Sequence, residues 1–153
     1  MDISDPASFY SDLPGLTPAS IRITSPEDGN YNCIAWAAGD NQNWWWPWGG
    51  RYAYWPRRAP REVTLSAFID AFQGLGYEVV TDFDLEVGYE KVAIYALQGT
   101  PTHAARQLPG GEWASKCGAS GDIVHDLVEL EGPGYGQVAV VLRRSFRPRP
   151  VVP

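Results

Sequence analysis

Apolar positions along the chain follow a helical period first and a strand period afterwards. Leu65, Phe68, Ile69, Phe72 and Leu75 recur at helical spacing, with Thr64 placed as N-cap and Gly74 and Gly76 placed to end the helix. A shorter helix is expected through Ile34, Ala35, Trp36, Ala37 and Ala38, capped by Asn32 and stopped at Gly39. Five strand signals follow: Tyr77–Thr81, Lys91–Ala96, Thr102–Leu108, Glu112–Cys117 and Gln137–Leu142. The turn Pro109-Gly110-Gly111 makes the third and fourth of these a hairpin. If the turn has three residues, His103 pairs opposite Cys117 and Ala105 opposite Ser115. Along the third strand, His103, Ala105 and Gln107 share one face while Thr102, Ala104 and Arg106 share the other. Helices at the N-terminal end followed by a mostly antiparallel sheet define an α+β domain with the helices packed on the sheet.

Composition shifts set the expected boundaries. Residues 1–27 are rich in Pro, Ser, Asp and Gly and read as an irregular segment, with a short helical turn near Thr17–Ile21. Residues 28–142 form the single domain. Residues 143–153, RRSFRPRPVVP, form a basic, proline-rich tail with four of the twelve basic residues. That tail has little apolar surface to bury, so truncation after Leu142 is expected to leave the fold intact.

The chain has 153 residues, 44% hydrophobic and 20% charged, which suits one packed core and excludes disorder throughout. Its net charge of -6 disfavours nucleic-acid binding. No apolar run approaches the ~18–20 residues that span a bilayer. The sequence MDISDPASFY lacks the basic and apolar regions of a secretory signal, and two cysteines make no disulfide framework. A cytoplasmic location is expected. No phosphate-binding glycine loop is present, so no nucleotide cofactor is expected.

Six of the seven tryptophans lie between positions 36 and 55. Trp36, Trp44, Trp45, Trp46 and Trp55 either cover the core under a long loop or wall a substrate cleft.

Reactive residues are scarce. Cys33 follows the predicted N-cap Asn32, where unpaired N–H groups and the helix dipole favour thiolate and could hold an oxyanion. Alternatively it is a small buried residue on an alanine-rich helix. His103 opens the strand THAARQL and, downstream of such a cysteine, becomes a candidate general base. Cys33, His103, Cys117 and His125 are all the Cys and His of the chain and could together hold zinc, although their spacing lacks the close pairs of structural sites. Asp82, Asp84 and Glu86 alternate in TDFDLEV and read as a solvated loop face.

The order of a helix-borne cysteine, KVAIYA, THAARQL and WASK resembles the papain-like fold of NlpC/P60 and related cysteine peptidases. NCIAWAAGD and PTHAARQLPGGEWASK also resemble segments of an uncharacterised bacterial domain family. The peptidase resemblance implies a hydrolase of amide or acyl bonds, with Cys33 as nucleophile, His103 as base and a peptide-like or protein substrate. Lys91 stands where those enzymes usually carry the histidine, and His103 lies one strand later. The residue orienting the imidazole would be Gln107 or Asp122. A binding module on the same fold, with the aromatic segment as contact surface and no turnover, is the alternative. A zinc-stabilised structural domain is the third reading; the first two need no metal.

Overall fold

The computed structural model describes residues 22–23, 31–40, 42–49, 53–116 and 122–146. In chain order the elements are β1 (Arg22–Ile23), α1 (Cys33–Ala38), α2 (Leu65–Gln73), β2 (Glu78–Val80), β3 (Tyr89–Leu97), β4 (Thr100–Gln107), β5 (Trp113–Lys116), β6 (Asp122–His125), a 3-10 turn (Leu127–Leu130) and β7 (Gln137–Ser145). The strands make one seven-stranded sheet in the order β1-β6-β5-β4-β3-β7-β2, antiparallel at each pairing.

Both helices start where their caps dictate. Asn32 Oδ1 accepts from the Ala35 amide at 3.0 Å, and Gly39 ends α1 with a φ of 89°. The same Asn32 side chain accepts from the Trp45 amide and donates to the Trp45 carbonyl at 2.7 Å, tying the aromatic loop to the helix start. Thr64 Oγ1 accepts from the Ala67 amide at 3.2 Å and so caps α2. The apolar stripe of α2 buries Ala67, Phe68, Ala71 and Phe72.

Side-chain alternation in the sheet feeds two separate cores. Val92, Ile94, Ala104 and Leu142 face α1, α2 and the aromatic loop. Ala93, Tyr95, Ala105, Trp113, Ile123 and Val141 face the other way, against Leu127, Leu130 and Tyr135. The β3–β4 hairpin closes on Gln98-Gly99, both at positive φ, the geometry whose twist matches paired strands. Gly136 admits no side chain: a Cβ there would lie 2.0 Å from the Ala96 carbonyl oxygen.

All five predicted strands form, and the hairpin register follows the predicted three-residue turn, with Arg106 opposite Ala114 and Gln107 opposite Trp113. Two strands were not expected. Arg22–Ile23, in the segment read as irregular, pairs with Asp122–His125. The predicted turn near Thr17–Ile21 lies outside the described residues.

The tail boundary needs correction, because β7 continues to Ser145 rather than ending at Leu142. Arg143 reaches Glu78 at 2.8 Å and also pairs with Glu86, while Arg144 pairs with Glu90 and lies 4.5 Å from the Tyr77 ring centre. Carboxylates on neighbouring elements give the first tail arginines a reason to stay in the ladder, which composition alone does not reveal.

Truncation after Leu142 is therefore expected to destabilise the domain. The lost ladder bonds alone amount to roughly 2 kcal/mol, or about 5 °C in melting temperature. An unchanged melting curve would show that Arg143–Ser145 add nothing.

Candidate functional site

Cys33 is the first residue of α1 and lies in the core between helix and sheet. Burial pushes its thiol up to about 11, against smaller opposing pulls from backbone groups of Ala104 and Ile34. Position at a helix start does not make this cysteine a thiolate, because desolvation outweighs the local dipole.

His103 is fully buried on β4, directly across from Tyr95. Its ring stacks on Tyr135 at 4.0 Å between centroids and meets Tyr95 edge-on. Neither ring nitrogen has a hydrogen-bond partner among the described residues. Burial, with the nearby His125 adding to it, holds the imidazole well below its usual range and therefore neutral.

The two residues are not brought together. Ala104 and Arg106 point toward α1, where the Arg106 guanidinium lies 4.1 Å from the Trp36 ring centre and donates to the Trp36 carbonyl. His103, Ala105 and Gln107 therefore point the other way. The sheet itself separates the Cys33 thiol from the imidazole. Gln107 does not orient His103 either: its Nε2 donates to the Phe83 carbonyl at 3.1 Å and, more weakly, to Gly111. Asp122 pairs with Lys116 in the β5–β6 ladder, and its side chain lies outside the described residues.

The zinc arrangement meets the same obstacle. Cys33 is on one face and His103 and His125 are on the other, while Cys117 lies outside the described residues. No metal-binding cluster of Cys, His, Asp or Glu occurs among the described residues. His125 is committed elsewhere. Its Nδ1 lies 2.8 Å from the Asp126 carbonyl, so it carries the proton, and Nε2 accepts from the Ser115 hydroxyl at 2.7 Å. Burial lowers its pKa to about 4 despite these bonds.

Among the described residues the candidate tryptophans pack largely inward. Trp45 and Trp55 are buried in the helix-side core, and Trp46 and Trp55 pack on Phe68 with ring centres 5.5 and 5.0 Å away. Trp45 Nε1 donates to Asp40 and Trp55 Nε1 to the Pro60 carbonyl, so their polar ends are satisfied internally. Trp36 is covered by Arg106, and Trp44 is half-buried. The segment is a lid on the core, since large rings beside a two-helix layer have more apolar area to gain inside than outside.

Lys91 is also structural. It is buried, and its Nζ donates to the carbonyls of Asp82 at 2.8 Å and Asp84 at 2.7 Å, with Glu86 at 3.5 Å. This clamp holds the segment after β2 along the face that bears His103. Its backbone carbonyls serve the lysine while its apolar side chains remain outside.

Those side chains border a groove of about 840 Å³. Val80, Phe83, Leu85, Leu127 and Val128 line it together with Trp113 and Val141 from the sheet. Phe83, Leu85 and Val128 are each about half or more exposed. Asp84, Asp126 and Glu131 supply the charge, and no Lys, Arg or His is among the lining residues. Sequence reasoning passed over this site by attending to the acids of TDFDLEV. The signal was their alternation with Phe83, Leu85 and Val87.

A sheet with helices on one face and an apolar, acid-rimmed groove on the other defines an α+β domain whose candidate site is that groove. The chain belongs to the family described as a domain of unknown function (DUF7689), whose family model matches residues 22–143. No curated protein and no solved structure matches it. No helix among the described residues is long and apolar enough to cross a membrane.

Both histidines are held neutral by burial, below the 6.5 of a free imidazole. Their contribution to stability is thus complete above pH ~6.5 and is lost as pH falls toward about 4, where His125 protonates in the fold. Each adds up to about 1.4 kcal/mol per pH unit in that window. Replacing His103 by Phe keeps the stack on Tyr135 and removes one titration, so melting temperature should fall less steeply between pH 7 and pH 5. An identical slope in the variant would show that His103 titrates as it does in the unfolded chain.

Proposed function

We propose that this domain is a non-catalytic binding module and that the groove between residues 79–85 and 126–131 is its contact surface. The observation that carries this reading is the placement of Cys33 and His103 on opposite faces of the sheet. Nucleophilic catalysis needs the base within hydrogen-bond reach of the thiol. A thiol with a pKa of about 11 is also ionised only to about one part in ten thousand at neutral pH. Neither half of the dyad is ready, and no conformational adjustment short of opening the sheet would join them.

The groove supports the positive half of the reading. Single exposed apolar residues are ordinary, but three converging on one concavity mark an interaction site. Its volume lies in the range of ligand pockets. On this reading the likeness to NlpC/P60 peptidases concerns the arrangement of helix and sheet, while the chemistry has been replaced by recognition. An acidic chain with a buried free thiol suits the cytoplasm.

Two measurements test this. In a Cys117→Ser background, iodoacetamide at neutral pH should label Cys33 at least ~100-fold more slowly than an exposed thiol, and His103→Phe should leave that rate unchanged. Rapid labelling that slows in His103→Phe would restore the hydrolase. The neutral dye Nile red should bind the folded protein, and the double substitution Phe83→Ser, Val128→Ser should weaken it about tenfold, the loss of roughly 1.4 kcal/mol of apolar contact. Unchanged dye binding would move the contact surface elsewhere.

A further inference from the structure

We infer that the occupant of this groove is an extended peptide segment that carries a lysine or arginine among apolar residues. The inference rests on the groove being the contact surface and adds the chemistry of the partner.

The charge in the groove is of one sign. Asp84, Asp126 and Glu131 line it, and no cationic side chain does. The basic groups nearest in sequence and fold are already engaged: Lys91 with the 82–86 segment, Arg143 with Glu78 and Glu86, Arg144 with Glu90. Glu131 accepts from the Val138 amide, but the exposed carboxylates of Asp84 and Asp126 form no ion pair among the described residues. A cation brought by a partner would meet no competing one.

Gln107 provides a second and independent indication. Only 7% of the residue is exposed, and it lines the groove beside its cross-strand neighbour Trp113. Its Nε2 is used by the Phe83 and Gly111 carbonyls, so the amide orientation is set. That leaves Oε1 as a buried acceptor with no partner among the described residues. Such an atom is destabilising until a donor reaches it. The exposed charged groups of the groove are acceptors, and a ligand rich in donors suits them.

The apolar walls call for more than a small cation. Phe83, Leu85 and Val128 are half-exposed or more at the groove, and Val80 and Leu127 line it beside them. An extended segment sends alternate side chains to opposite sides, so it can present apolar groups to the walls and a basic group to the acids together. The basic group then sets orientation and speeds encounter, while apolar burial supplies affinity.

Fluorescence anisotropy with short synthetic peptides tests the inference on the full chain. An alternating Val/Lys peptide should bind at moderate salt at least about tenfold more tightly than its Val/Glu and Ser/Lys counterparts. The substitutions Asp84→Asn and Asp126→Asn, separately and together, should weaken the Val/Lys peptide up to about tenfold and flatten its salt dependence, with Nile red binding unchanged. Equal binding of the Val/Glu and Val/Lys peptides, or no response to either substitution, overturns the basic partner and leaves the groove reading standing. Self-association that displaces the peptide, seen by sedimentation, overturns it in favour of a second copy. Failure of Nile red as well as of every peptide removes the groove reading itself.

Discussion

A strand covered on both sides sends successive side chains into two environments that never mix, and β4 is such a strand. Ala104 belongs to the core beneath the helices, and Ala105 to the core beneath the 3-10 turn. This alternation decides the fate of the reactive residues. Cys33 comes down with α1 against Ala104, while His103 leaves β4 on the other side and is sealed between Tyr95 and Tyr135. Shifting the register by one residue would bring the imidazole to the helix, and it would also exchange every apolar and polar partner along the strand. The packing of two cores therefore holds the dyad apart.

The second face owes its shape to a single buried ammonium. Lys91 is flanked along β3 by residues that alternate between the two cores, and its charge would be costly there without acceptors. Two carbonyls and one carboxylate from residues 82–86 supply them. Glu86 is shared with Arg143, whose guanidinium holds the carboxyl below its ordinary range. Local charge balance thus fixes the path of an otherwise exposed segment, and that path leaves Phe83 and Leu85 beside the groove. The end of β7 and the border of the site depend on the same few ions.

Polar groups on this face differ in how well they are satisfied. Ser115 and His125 complete each other, with the Asp126 carbonyl fixing the tautomer, and need nothing from outside. Among the described residues, His103 and the Oε1 of Gln107 have no hydrogen-bond partner. His103 is fully buried between Tyr95 and Tyr135, so its open valence is a cost borne inside the core. Gln107 differs in that the residue lines the groove.

Local chemistry made much of this readable in advance. Asn32 and Thr64 announce their helices through cap bonds made within a few residues, and Pro109-Gly110-Gly111 sets a hairpin register that the ladder follows. The partition of β4 into two sets of side chains was equally visible, because it follows from strand geometry alone. What no local rule could supply was which set the helices would cover. With both faces apolar, a period of two is symmetric between them, and the choice rests on how α1 and α2 pack across the sheet. The same non-local packing placed Arg143 and Arg144 in the ladder, drew Trp45 and Trp55 inward, and put residues 79–85 opposite residues 126–131. Sequence determined the helices, most of the strands and the two faces of β4; tertiary structure decided which face received the cysteine and which the histidine, because burial on both sides leaves alternation without a sign.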